Sequence, residues 1–149
     1  SWDGEMVLNE PLVRSIGLTT GHIERSVLLA RRELERRMGR FGVAGQLPEM
    51  AGKRVILVDD GLASGYTMLA ALRSVGKRHP LGTVVAVPTG SLCAVAMVAS
   101  EASLVYCLNV RTGPSFAVAD AYRHWYDISD NEAARMLGEA SGGKWQTGA

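Results

Sequence analysis

Two adjacent carboxylates, Asp59 and Asp60, follow four apolar residues, Val55-Ile56-Leu57-Val58, and precede Gly61-Leu62-Ala63-Ser64-Gly65-Tyr66-Thr67. The apolar run is rich in β-branched residues and reads as a strand buried on both faces. A helix is expected from about Thr67 to Val75. The carboxylates therefore fall at the carboxyl end of a strand, the position where open parallel sheets bind ligands. Loop amides and the positive end of the next helix form a cradle for an anion. Gly61 and Gly65 permit positive φ and close backbone approach. Ser64 and Thr67 add hydroxyl donors. Asp59 and Asp60 repel a phosphate directly but suit a sugar diol, or a Mg²⁺ that the diol also binds. Carboxylates for hydroxyls and amides for phosphate together describe a ribose phosphate site, and Asp59 to Thr67 are its candidate residues.

A lone Asp-Asp-Gly is more often an ordinary turn; the longer string outweighs that reading. It is not a P-loop, because it lacks a second glycine followed by Lys and Ser/Thr, and Gly61 and Gly65 do not fit G-x-G-x-x-G.

The string resembles the phosphoribosyl-pyrophosphate (PRPP) signature of type I phosphoribosyltransferases: four apolar residues, two acidic ones, and a small-residue loop closing on Thr/Ser-Gly-x-Thr/Ser, here Ser64-Gly65-Tyr66-Thr67. The resemblance implies that Asp59 and Asp60 hold the ribose hydroxyls, that Ala63 to Thr67 wrap the 5′-phosphate, and that Mg²⁺ accompanies PRPP. The segment Pro114 to Tyr122, with Asp127-Ile128-Ser129-Asp130, is similar to the C-terminal piece of a bacterial and archaeal branch, and in known enzymes a comparable hood covers the base. The likeness spans roughly residues 50–137 and, more weakly, the helix before them. It implies transfer of phosphoribosyl to a nitrogenous base with release of pyrophosphate. Two departures stand against that. The branch carries a pyrophosphate loop reading Leu-Pro-Arg-Gly-Gly, and no such string occurs here. Enzymes for 6-oxopurines have an acidic residue where this chain has Ala63. The expectation is either a C-terminal portion of a longer protein or a natural form without the loop. The alternative function is a non-catalytic sensor or structural domain using the same pocket.

The elements that must position the site follow from patterning. Thr83–Val87 and Ser103–Leu108 read as two further strands, and Ser91–Ala99, capped by Ser91, as the helix between them. Strand–helix–strand–helix–strand with short links predicts an open α/β parallel sheet with right-handed crossovers, helices on both faces, and a Rossmann-type, phosphoribosyltransferase-like fold. Upstream, Ile23, Val27, Ala30, Leu34 and Met38 form one apolar stripe of a helix over 20–38, capped by Thr19 or Thr20 and stopped by Gly39 or Gly42. Arg31, Arg32, Arg36, Arg37 and Arg40 crowd its far end, where cations complement the helix dipole; a solvated face is the ordinary reading. Met6-Val7-Leu8 and Leu12–Ile16 read as short extended pieces separated by Asn9-Glu10-Pro11. A small aromatic-rich hood, about 114–137, ends in a helix near Asn131–Leu137 capped by Ser129 or Asp130. Residues 1–137 make one domain, and 138–149, with Lys144 and Trp145, a flexible tail.

Composition adds exclusions. The chain has 149 residues, 47% of them hydrophobic, and a formal net charge of +1. That is ordinary globular usage and carries no global signal for nucleic acid. Leu81–Ser100 holds no charge over 20 residues, but Pro88-Thr89-Gly90-Ser91 in its middle argues for a strand, loop and helix rather than a membrane span. Cys93 and Cys107 form no disulfide framework and read as small core residues, so a reducing, cytoplasmic setting is expected. His22, His79 and His124 lack metal-ligand spacing. Aromatics at His124-Trp125-Tyr126 can stack on a base, although packing is the commoner role. Arg111, just after the third strand, is a candidate phosphate contact. Expected partners are a small ribose phosphate and, through an uncovered sheet edge, another copy of the chain or a missing segment.

Overall fold

A computed structural model describes residues 1–41, 48–113 and 116–142, with side chains up to Glu139. The elements run α1 (Glu10–Ser15), α2 (Thr20–Arg40), β1 (Arg54–Val58), α3 (Tyr66–Gly76), β2 (Gly82–Ser91), α4 (Leu92–Ala99), β3 (Leu104–Arg111), a 3-10 turn (Val118–Ala121) and α5 (Asp130–Gly142). The strands form one parallel sheet in the order β1-β2-β3. The predicted strand–helix alternation is therefore present, with each element within a few residues of its expected bounds.

Both crossover helices lie on the same face. Leu69 and Leu72 of α3 pack with Ala94 and Val98 of α4 over Val85 and Val87 of β2, and Leu62 completes this core. Helices on both faces were expected, and the described residues correct that detail. Two successive right-handed crossovers that step in one direction across the sheet must put both helices on one side. Runs that read as buried on both faces are thus buried on one. On the other face Ile56, Val58, Leu104, Tyr106 and Leu108 stay exposed, Val58 at 74% and Leu108 at 88%.

Leu81–Ser100 resolves into β2 and α4. Ser91 caps α4, its hydroxyl accepting from the Ala94 N–H at 3.1 Å. No described helix is long and apolar enough to cross a membrane. Cys107 packs partly against the core, whereas Cys93 lies exposed on α4, contrary to the buried role expected for it.

The N-terminal expectations fail in part. Residues 6–8 form no strand, and Glu10–Ser15 is helical rather than extended. Asn9-Glu10-Pro11, read as a break, is a helix start: the Asn9 side chain accepts from the Leu12 N–H at 3.1 Å, and Pro11 sits in the first turn. Residues 1–5 are strapped to α3. Ser74 donates to Asp3 at 2.7 Å and also meets the Ser1 hydroxyl, while Lys77 pairs with Asp3 and Glu5. The Ser74 hydroxyl, helped by Lys77, holds the Asp3 carboxyl well below the usual range. In α2 the expected stripe is correct, with Ile23, Val27, Leu34 and Met38 half-buried. His22 is a capping residue, its Nδ1 accepting from the Thr19 N–H. The arginines do more than meet solvent: Arg36 pairs with Glu33 at 2.7 Å and Asp130 at 2.6 Å, and Arg40 meets Asn131. They dock α2 to the start of α5. Ser129 caps α5, which runs on to Gly142 through the first part of the expected flexible tail. Gly42, Pro114, Ser115 and residues 143–149, with Lys144 and Trp145, lie outside the described residues.

The open sheet face predicts self-association of the isolated chain, since apolar patches of this kind bury themselves when they can. Sedimentation equilibrium should give an average mass that rises with concentration, and Ile56→Ser with Leu108→Ser should lower it toward that of one chain.

Candidate functional site

After β1 the chain does not loop freely. The Leu62 N–H donates to the Thr89 carbonyl at 3.0 Å, and the Ser91 N–H donates to the Leu62 carbonyl at 2.9 Å. Leu62 thereby joins the far end of β2 by a parallel bridge to Gly90, and its side chain is only 2% exposed. With backbone and side chain both committed, Leu62 is an anchor and not a ligand contact. Its pinning leaves Asp59 half-buried on one side and Ala63 and Ser64 exposed on the other.

Each glycine of the loop has a separate duty. A Cβ at Gly61 would come within 2.7 Å of Val118 in the 3-10 turn and 3.0 Å of Thr89. Gly61 therefore lets the hood rest directly on the loop. Gly65 takes φ +79°, the left-handed region, and a Cβ there would meet Met97 at 2.9 Å. As N-cap of α3 it supplies no side-chain acceptor, so the first-turn N–H groups of α3 are left uncapped. They point outward beside Ser64 and Thr67, an arrangement that favours an anion. The exposed hydroxyl of Thr67 stands in the same turn, and Tyr66, expected in solvent, is half-buried and turned toward α2 and the N-terminal segment.

The two carboxylates differ. Asp60 is exposed; Asp59 is half-buried, and its Oδ1 accepts from the Asp60 N–H at 3.0 Å. Burial pushes the Asp59 pKa up, the Asp60 charge adds to that, and the backbone N–H opposes it. The negative form of Asp59 is therefore held at a cost that a diol or cation would relieve. Among the described residues no cluster of three or more His, Cys, Asp or Glu could hold a metal alone. Two carboxylates do fit the way Mg²⁺ is commonly bound, by one or two carboxylates together with substrate oxygens.

Three contacts escaped the sequence reading. Ser91 donates its hydroxyl to the Ala63 carbonyl at 2.9 Å while capping α4. Tyr122 donates to the Asp60 carbonyl at 2.6 Å, latching the hood to the loop. Its ring also tilts against Trp125, centroids 5.2 Å apart. A Tyr in an aromatic-rich segment is visible in the sequence, but its partner, 62 positions away, is not. Arg111 pairs in register with Ser91, at the same end of the sheet, and has no ion-pair partner among the described residues.

Known proteins share this arrangement. A family profile for the phosphoribosyl transferase domain matches residues 19–96, just over half of the chain. The chain belongs to the phosphoribosyl transferase family. The match takes in α2 as well as the carboxylate loop and stops within α4, so the hood lies beyond it. Two Mycobacterium tuberculosis proteins, from strains CDC 1551 and H37Rv and provisionally named phosphoribosyl transferases, are each 37% identical over 142 residues. Those residues are 93% of this chain but 31% of either relative, so the chain spans under a third of their length. A crystal structure of the Thermus thermophilus protein TT1426 superposes with a TM-score of 0.70 at 32% identity, covering 93% of this chain and 65% of that one.

Two outcomes follow. Gly65→Ala should lower stability by about 1–2 kcal/mol from the left-handed backbone alone, with a further loss from Met97, measured by chemical unfolding. The raised pKa of Asp59 means that stability from this group is present while it is protonated and is lost as pH rises through its folded value. Asp59→Asn should therefore melt higher than wild type at pH 7, and the difference should shrink as pH falls into the carboxylate range.

Proposed function

We propose that the carboxylate loop binds the ribose 5-phosphate part of PRPP together with Mg²⁺. One observation carries the reading: a half-buried, charge-strained carboxylate pair sits beside a helix start with no side-chain cap, so one loop offers both diol acceptors and anion donors. In this reading Asp59 and Asp60 accept from the ribose hydroxyls and share the metal. Ala63, Ser64, Gly65, Tyr66 and Thr67 surround the 5′-phosphate with backbone N–H groups and two hydroxyls, and Arg111 adds a cation at the rim. Gly61 and Leu62 act through the loop's shape. Bound Mg²⁺ would neutralise charge on the pyrophosphate leaving group.

Transfer would break the bond from ribose C1 to the pyrophosphate oxygen and form one to a ring nitrogen of the acceptor base, which gives up its proton. The charge that develops on the sugar resembles an oxocarbenium ion. Donors to the departing pyrophosphate would be the main catalytic groups. The sequence has no Leu-Pro-Arg-Gly-Gly string to supply them. That favours a second reading, a domain that binds PRPP without turning it over unless another chain supplies the donors.

Thermal unfolding with and without PRPP and Mg²⁺ tests the pocket. At about 100 times Kd the ligand should add roughly 2.7 kcal/mol, or about 5–11 °C in a domain of this size. Asp59→Asn/Asp60→Asn should abolish the shift. No shift in a folded chain would overturn the reading, and pyrophosphate release with a panel of bases separates its two forms.

A further inference from the structure

Helices α2 and α3 are held apart. Between them, closed on a third side by the N-terminal segment, lies a cavity of about 490 Å³. That volume is typical of a small-molecule site. Its walls are mainly apolar: Met6 from the N-terminal segment, Val27 and Leu34 from α2, Ala70 from α3. The apolar stripe of α2 is only half-buried because it faces this space. An unfilled apolar gap forfeits the dispersion contacts of everything that lines it.

Two polar groups on the wall lack partners. Trp2 lines the cavity, and its indole Nε1 is buried without a hydrogen-bond acceptor. Buried donors are almost always paired, and an unpaired one calls for explanation. Arg31 also lines the cavity and, unlike Arg36 and Arg73, has no ion-pair partner among the described residues. Glu5, the one carboxylate on the wall, is neutralised by Lys77 at 2.7 Å.

We propose that this cavity binds a small aromatic carboxylate. The ring would lie between the aliphatic walls and against the Trp2 and Tyr66 rings, where aromatic contacts are favourable. The carboxylate would take the guanidinium fork of Arg31 and the indole N–H together, since its two oxygens can satisfy both. A phosphate suits the site less well, because one arginine amid apolar walls leaves most of its charge desolvated. The proposal does not depend on PRPP binding. Tyr66 and Thr67 border the cavity, but Asp59, Asp60 and Ser64 do not.

Titration of the full chain with 2-naphthoate, followed by calorimetry and tryptophan fluorescence, tests it. Saturable one-to-one binding is expected. Arg31→Gln, an exposed position, should weaken it about tenfold or more. The uncharged 2-naphthylmethanol should bind wild type correspondingly more weakly and be indifferent to Arg31→Gln. Ala70→Phe should fill the space and block binding; if that variant unfolds, Arg31→Gln with the alcohol comparison decides alone. Leu108→Ser, on the open sheet face, should leave binding unchanged. The proposal is overturned by no saturation at millimolar ligand, by affinity indifferent to Arg31→Gln, or by binding that disappears with Leu108→Ser. None of these results alters the PRPP melting shift, so the two ideas fail separately.

Discussion

The burial of Leu62 is the constraint on which the site depends. A loop that must present carboxylates and amides to solvent has no core of its own and would ordinarily be mobile. Here one apolar side chain inside the core and two backbone hydrogen bonds to β2 hold it. The carboxylates lie before this anchor and the amides after it, so both halves of the site are referred to the same point. Ser91 and Tyr122 then fix the carbonyls on either side, those of Ala63 and Asp60. Three carbonyls of the loop are thus occupied by the protein, while the N–H groups opening α3 remain free of side-chain caps. That asymmetry is what makes the loop attractive to an anion.

The half-buried state of Asp59 runs the other way. Core residues are stabilised by their neighbours, but Asp59 is charged against burial and against Asp60. Strain of this kind is a signature of functional positions, although structural networks also produce shifted carboxylates. The paired carboxylates elsewhere show the contrast. Glu33 is pulled down to about 2 by the hydrogen bonds of Arg36 and Arg37, and Glu101 is lowered by Arg73. Those groups are satisfied by the fold, and Asp59 is not.

How much could be read from residues alone follows the distance over which each feature is encoded. The loop was legible because strand, carboxylates, glycines and hydroxyls are contiguous, and Val55–Val58, Thr83–Val87 and Ser103–Leu108 each declare a strand locally. The face on which the helices pack was not, because apolar runs look alike whether one side or both are covered. Asn9-Glu10-Pro11 misled because the same residues that break a strand start a helix. The role of Leu62 was missed for a related reason: in a run of small and polar residues its size was the signal, and it marked the anchor rather than the ligand. The Tyr122 latch and the Arg36–Asp130 pair needed three dimensions.

The hood is fastened at two places that belong to different parts of the protein. Tyr122 holds it to the carboxylate loop, and Asp130 holds the start of α5 to α2. Between these moorings the chain from Arg123 to Ser129 has no regular structure, and Trp125, Tyr126 and Ile128 are exposed along it. A span tied at both ends can bow outward but cannot swing open like a door. Traffic into the space beside Asp60 would therefore pass under an arch of aromatic side chains, and the width of that arch is set by seven residues of slack rather than by a hinge.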